Sequence, residues 1–327
     1  MRRVLLNSPG EFVIEQTQPP AAQKGEALIR VRRVGVCGSD FHAFMGQHPA
    51  YTYPRVIGHE LAGEIIEVEA NELGIHPGDR CAIEPYMSCG SCGPCRKGRA
   101  NCCENLRLYG VHVDGGMQGF LPVRVDLLHR SNTVSLDQLA LVETLGIGAH
   151  AVRRSGLAQG ETALVIGAGP IGLAVIEFAK AAGAKVQVVE CNPWRLAFVS
   201  KLGVEALEER ATQVADVVFD ATGSADSMEE SLKCTAPGGR LVFVGLTKGH
   251  VRLDDALLHK REITVVASRN SCGQFPRIIR MLEEKKIDVT SWITHRLSLS
   301  QVPSTFKDLS GQPRLLKAVV ELDDADA

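Results

Sequence analysis

Residues 162–172, TALVIGAGPIG, decide how this chain folds. Thr162–Ile166 are small, apolar or β-branched and read as a buried strand. They run directly into a G-x-G-x-x-G pattern, and the apolar stretch 170–183 (PIGLAVIEFAKAAG) that follows reads as a helix. In that setting Gly167 permits a tight turn, Gly169 lets the backbone approach a ligand, and Gly172 lets helix and strand pack closely. Pro170 and Ile171 open the helix, whose unpaired N–H groups and partial positive charge suit a pyrophosphate. Glu190 lies 18 residues beyond Gly172, at the end of the next strand candidate, KVQVVE. A carboxylate there accepts hydrogen bonds from ribose hydroxyls and repels a 2′-phosphate, which favours NAD over NADP. Arg195 is placed either to lie over the adenine or to pair with Glu190.

Outward from this stretch, residues 144–267 alternate strand and helix. DVVFDATG, RLVFVGL and EITVVA are further strand candidates, VEA at 204–206 is a short one, and 192–203 and 224–236 read as helices. The expectation is a doubly wound parallel sheet of about six strands. Residues 1–143 read instead as short strands broken by Gly and Pro, among them EALIRVRRVGVC and ELAGEIIEVE. From 268 the character is mixed, with a helix at 275–286 and strands at 292–299 and 316–322. The α/β domain, 144–267, is therefore expected to be inserted in a mainly β domain formed by 1–143 and 268–327.

The bulk numbers narrow the function. A chain of 327 residues has room for two cores. At 45% hydrophobic, 23% charged and a net charge of -2, it offers no electrostatic basis for binding nucleic acid or an anionic membrane. No stretch approaches the roughly 18 apolar residues of a membrane span, and the start, MRRVLLNSPGEF, lacks the apolar run of a signal peptide. Of ten cysteines, five crowd into residues 89–103, which points to metal binding in a reducing compartment. A cytoplasmic protein is expected.

Two metal constellations stand out. Cys89, Cys92, Cys95 and Cys103, in CGSCGPCRKGRANCC, have the spacing of a loop folded round one tetrahedral Zn²⁺. Four thiolates leave no open position, so this zinc is expected to be structural; free or disulfide-bonded thiols are the bland alternative. The second set is Cys37, in Cys37-Gly38-Ser39-Asp40-Phe41-His42, with His59 and Glu60. Thiolate, imidazole and carboxylate make an open zinc site with a position for water or substrate. Taken singly, each has a plain reading as a buried thiol, a core histidine and a surface charge.

At this point the chain resembles the zinc-dependent medium-chain dehydrogenase/reductase family, the alcohol and sorbitol dehydrogenases. GVCGSDFH, YPRVIGHE, the four-cysteine loop, VIGAGPIG and WITHRLSL occur in the family's order, over nearly the whole chain. The resemblance implies a GroES-like catalytic domain carrying a Rossmann domain, with two zinc ions per subunit and NAD. It implies Cys37, His59 and Glu60 as ligands of the catalytic zinc, with Glu143 ligating the metal or holding its water. Which of the two glutamates touches the metal is left open. Asp40 is implied to hydrogen-bond His59 and fix its tautomer. Ser39 and His42 match a proton relay running through the nicotinamide ribose to solvent. The family spacing selects Cys103 over its neighbour Cys102. Arg269, with Asn270 beside it, matches an arginine of the polar substrate pocket in sorbitol dehydrogenases. Met117, Phe41 and Phe44 are pocket candidates that read equally as core.

The expected activity is hydride transfer from a secondary alcohol of a polyol or sugar acid to NAD⁺, by a homodimer or homotetramer. The complete four-cysteine loop, absent from vertebrate sorbitol dehydrogenases, favours the bacterial sugar-acid type of the L-gulonate and L-galactonate enzymes. One alternative is NAD(P)H-dependent reduction of an aldehyde or ketone. Another, of a different class, is a non-catalytic dinucleotide-binding sensor or structural protein.

Overall fold

Two backbone ladders organise the chain. In the computed structural model, which describes residues 1–207 and 214–327, they belong to two units: Met1–Glu143 with Phe275–Ala327, and Thr144–Gln274.

The second unit is built on a six-stranded parallel sheet. Its spatial order is Glu205–Leu207, Lys185–Val189, Thr162–Ile166, Ala215–Asp220, Thr235–Phe243, Thr264–Ala267. The central strands are near-continuous apolar runs because helices cover both faces of such a sheet. Leu164, Ile166, Val189, Val218 and Leu241 form part of its core. Register aligns the carboxyl ends: Ile166 pairs with Val189 and Asp220, Asp220 with Phe243, and Phe243 with Ala267. The residues following each strand thus emerge along one edge, which is where ligands bind in sheets of this kind. Asp220 is fully buried there and accepts from Thr222 N (3.0 Å), Thr222 Oγ1 (2.6 Å) and Ser227 Oγ (2.5 Å), pinning the loop that follows its strand.

Three details depart from the sequence reading. The unit extends to Gln274 rather than ending at 267, since Ser268 N still donates to Phe243 O at 2.9 Å and carries the ladder onward. The helix expected over 224–236 stops at Ser231. A 3₁₀ turn follows, and Thr235 already pairs with Ala215, so the last residues read as helix open the next strand, Thr235–Phe243, instead. A helix at Asp255–Arg261 was not foreseen, although Asp254 caps it by accepting from Leu257 N at 3.0 Å.

The first unit is organised by the long strand Glu26–Val36. It pairs antiparallel with Glu60–Val68 on one edge and with both Phe120–Arg124 and Lys317–Glu321 along its length. Alternating burial along it follows from one face meeting the core. The tail strand pairs through Ala318↔Val36, Val319↔Gly35 and Val320↔Val34, so the last residues complete a sheet begun by the first. Phe306, on the helix Val302–Leu309, packs against Phe12, Phe41 and Phe44 with ring centroids 4.9–5.5 Å apart. Phe41, Phe44 and the fully buried Met117 are thus core residues of this unit.

The helix Val142–Ser155 carries His150, 2% exposed, whose Nδ1 lies 3.3 Å from Arg153 Nη2. Burial, reinforced by Arg153 and Arg154, depresses its pKa to about 4. A histidine held neutral stabilises the fold fully above its ordinary pKa of about 6.5, and that contribution is lost as pH falls toward about 4. The unfolding temperature of wild type should therefore fall more steeply between pH 7 and pH 5 than that of His150→Gln, measured by calorimetry in matched buffers; equal slopes would show that His150 is not titrating.

Candidate functional site

The short helix Gly38–Phe44 has two working faces. Phe41 and Phe44, three apart, pack into the core beside Phe306, while Ser39 and His42, also three apart, fall on the opposite side. Cys37 caps the helix, and its N–H donates to Asp40 Oδ2 at 2.9 Å. Locking the aromatic face into the core therefore aims the two relay candidates away from it. His42 is exposed and Ser39 half-buried, as suits a route ending in solvent.

Cys37 Sγ, a His59 ring nitrogen and a Glu60 carboxylate oxygen lie within 4.8 Å of one another. Two strand ends produce this meeting: Cys37 follows Val36, and Glu60 opens the adjacent strand, in register with Gly35. A Cβ on Gly35 would sit 2.1 Å from Glu60 Oε2, so a glycine is required to leave room for that carboxylate. His59 Nδ1 is buried without a hydrogen-bond partner, its nearest acceptor being Asp40 Oδ1 at 3.7 Å. Burial works against a charged imidazole, but Asp40 and Cys37 outweigh it and hold the His59 pKa well above its usual value. The Asp40 carboxyl is raised by its complete burial, with His59 opposing. A thiolate, an imidazole and a carboxylate converging on one point, with one imidazole nitrogen left without a partner, fit a divalent zinc with an open position.

Lys317 completes this neighbourhood and was missed in the sequence. Its ammonium lies 2.6 Å and 2.8 Å from the two oxygens of Glu60 and 3.3 Å from Val36 O, all buried. Burial disfavours its charge, yet Glu60 and Cys37 prevail and raise its pKa. No local signal marks it, since it sits in an ordinary apolar strand, RLLKAVVEL, and lies 257 residues from Glu60. Glu143 is not part of the converging set. It accepts a hydrogen bond from Tyr86, another residue the sequence did not single out, and burial raises its carboxyl, with His59 opposing and Glu60 reinforcing the rise.

The second cluster brings the sulfurs of Cys89, Cys92, Cys95 and Cys103 within 4.8 Å of one another, whereas Cys102 points elsewhere and is exposed. Sulfurs round a tetrahedral zinc with bonds of about 2.3 Å stand about 3.8 Å apart, so the cluster is near that spacing. Backbone N–H groups of Cys89 and Asn105 each donate to Cys103 Sγ at 3.3 Å. Those of Ser91 and Cys92 hold Cys89 down to about 5, while burial and the neighbouring thiols push Cys95 up to about 12. Four thiols that cannot all ionise together are a donor set suited to a cation.

In the other unit, Gly167 has φ 91°, and a Cβ on Gly172 would lie 1.8 Å from Gly167 O. A Cβ on Gly169 would approach only Arg195 Nη1, at 3.8 Å, so its outer side is open to a ligand and the guanidinium faces the turn. Gly169 caps the helix Pro170–Ala181, which starts with Pro170 and Ile171. Glu190, 6% exposed, accepts from Ala168 N and Asn192 N, both at 2.8 Å. It therefore also ties the glycine turn to the neighbouring strand, a role the motif alone does not disclose. Arg269 is exposed just after the strand Thr264–Ala267, and Asn270 beside it takes φ 50°.

Residues 23–133 match the model of the alcohol dehydrogenase GroES-like domain, and residues 170–284 that of the zinc-binding dehydrogenase domain. The chain is 37% identical to L-galactonate-5-dehydrogenase of Escherichia coli (strain K12), with 98% of each chain covered. It is 31% identical to D-altritol 5-dehydrogenase of Agrobacterium fabrum (strain C58), covering 97% of this chain and 98% of that one. Among solved structures, a zinc-binding dehydrogenase of Sinorhizobium meliloti 1021 bound to NADP superposes with a TM-score of 0.92 at 27% identity, 98% of each chain covered.

Lys317→Met leaves Glu60 buried without its counter-charge. Removing one partner of a buried pair costs about 3–5 kcal/mol, so chelator-treated Lys317→Met should show that loss in denaturant unfolding. A loss under about 1 kcal/mol would mean Glu60 finds water instead.

Proposed function

The chain belongs to the zinc-dependent alcohol dehydrogenase family, and from that premise we propose that it oxidises a secondary alcohol of a sugar acid or polyol to the ketone with NAD⁺. The observation that carries this is the convergence of Cys37, His59 and Glu60 beside the helix that presents Ser39 and His42. Bound there, a zinc ion supplies charge stabilisation that lowers the pKa of the alcohol, and a nicotinamide cofactor supplies the hydride acceptor.

The protein's own groups do the rest. Ser39 accepts the hydroxyl proton, and His42, exposed one helical turn further on, delivers it to solvent. The charge of Asp40, 3.7 Å from His59 Nδ1, favours the tautomer that carries its proton on that nitrogen. Glu143, kept in place by Tyr86, would offer a further carboxylate to a zinc held there when substrate is absent. Cys89, Cys92, Cys95 and Cys103 would hold a second, structural zinc. The glycine turn at 167–172 receives the pyrophosphate, Glu190 the adenosine ribose, and Arg195 flanks both. Arg269 recognises the carboxylate or hydroxyls of the substrate.

L-galactonate-5-dehydrogenase and D-altritol 5-dehydrogenase are both named for oxidation at position 5, which supports a secondary hydroxyl next to a terminal CH₂OH as the substrate group here. Thr264–Ala267 is an edge strand with Thr264 and Val265 exposed, which supports pairing with a second copy in a dimer or tetramer. No described helix is long and apolar enough to cross a membrane; the metal-ready thiols support a reducing, cytoplasmic setting. The NADP bound to the Sinorhizobium protein favours a second reading, an NADPH-dependent carbonyl reductase.

NADH formation across aldonates, hexitols and simple alcohols tests the reaction. The expected result is a chelator-sensitive rate confined to one sugar acid or polyol; turnover untouched by complete metal removal would exclude the zinc role. Glu190→Ser separates the two cofactor readings. Removing one repulsive charge worth about 1.4 kcal/mol should raise the NADP⁺/NAD⁺ ratio of kcat/KM about tenfold, whereas an unchanged ratio would take Glu190 out of cofactor choice.

A further inference from the structure

After the strand Arg80–Ile83 the chain leaves the main sheet, makes the four-cysteine loop and returns. The two arms of this excursion meet in a ladder of two residues each, Tyr86–Met87 and Arg107–Leu108. Tyr86 stands opposite Leu108 and Met87 opposite Arg107, and Tyr109 N adds a bond to Pro85 O at 3.2 Å. Just beyond the ladder, Cys89 N donates to Cys103 Sγ at 3.3 Å. A two-stranded ribbon this short is marginal by itself in water. The sulfurs of Cys89, Cys92, Cys95 and Cys103, within 4.8 Å of one another, lie where a single cation would close it. Joining the two ends of the loop takes away the freedom its arms would gain on opening.

Tyr86 carries this ladder inward. Its hydroxyl donates to Glu143 Oε1, and both residues are buried, so neither has bulk water as an alternative partner. On the side away from the loop, Glu84 N is anchored on Leu127 O at 2.8 Å. Ile83 pairs with Leu61, so the segment starts alongside the strand that opens with Glu60. Tyr86 is thus held between an anchored strand end and a ladder that the cysteine cluster closes.

We propose that the four-cysteine loop sets the position of Glu143 through Tyr86: a metal ion on Cys89, Cys92, Cys95 and Cys103 closes the ladder that keeps the Tyr86 hydroxyl on Glu143, and loss of that ion releases the hydrogen bond. The inference rests on the reading of the loop as a zinc site. A buried carboxylate that loses its donor must find another or move. The occupancy of the loop is therefore read at Glu143, which makes the four cysteines a regulatory element and not a source of stability alone.

The test reads the NMR line of the hydroxyl-bearing ring carbon in protein made with ¹³C-labelled tyrosine. The chain has four tyrosines, Tyr51, Tyr53, Tyr86 and Tyr109, and Tyr86→Phe identifies the line of Tyr86. The full chain carries Cys37→Ala, which takes the thiolate from the other donor set and leaves zinc to the loop. Stripping this protein with a chelator should move the Tyr86 line toward the position it takes when Glu143→Ala is added to the zinc-loaded protein. Zinc returned in equal amount should bring it back, while the Tyr51 and Tyr53 lines stay in place throughout. An unmoved Tyr86 line in protein that has lost its zinc would overturn the inference. So would a common shift of all four lines, which would make the loop a support of the whole fold. Failure of the Cys37→Ala protein to hold zinc would overturn the zinc reading of the loop, and this inference with it. The readout needs no turnover, so its outcome stands apart from that of the substrate panel.

Discussion

The pairing of the tail strand Lys317–Glu321 with Glu26–Val36 is the constraint on which the metal neighbourhood depends. Ala318↔Val36 and Gly35↔Glu60 set Lys317, Cys37 and Glu60 around one point, although they come from opposite ends of the chain. Glu60 is 1% exposed and Lys317 3% exposed, so neither charge has water to fall back on. A buried pair of this kind adds little net stability over an apolar pair, but breaking it is costly, so it enforces one arrangement of the strands that carry it. The tail acts a second time through Phe306, which clamps Phe41 and Phe44 and so fixes the direction of Ser39 and His42.

The buried polar groups around this point are linked. Asp40 joins Cys37 N to Tyr51 and faces His59, and Tyr86 joins Glu143. In a low-dielectric interior each such bond is stronger than in water, and each missing partner is dearer. His59 Nδ1, buried and without a hydrogen-bond partner, is the exception, and its ring belongs to the set that converges with Cys37 and Glu60. Partial satisfaction in an otherwise well-packed unit marks where a ligand completes the protein.

The nucleotide turn is built on different physics. Gly167, Gly169 and Gly172 are within six residues of each other, and their roles follow from backbone geometry alone: a positive φ, an open side and a contact too close for any Cβ. Glu190 adds a tether across to the next strand through two backbone N–H groups. Such local requirements leave a pattern that a single sequence displays, whereas Lys317 and Tyr51 answer to partners that are distant or out of register and leave none.

The amino-acid sequence by itself determined the parallel sheet and its glycine turn, and the cysteines, histidine and carboxylate that converge in two clusters. These rest on short spacings, turn chemistry and apolar periodicity, which act over a few residues. Tertiary structure alone decided that Glu60 rests on Lys317, that Glu143 rests on Tyr86, that Asp40 is shared between Tyr51 and His59, and that Phe41, Phe44 and Met117 belong to the core. It also moved the end of the α/β unit to Gln274. Those outcomes depend on burial and on strand register across up to hundreds of residues, and a carboxylate, phenol or ammonium acquires its role only once packing has removed the water that would otherwise satisfy it.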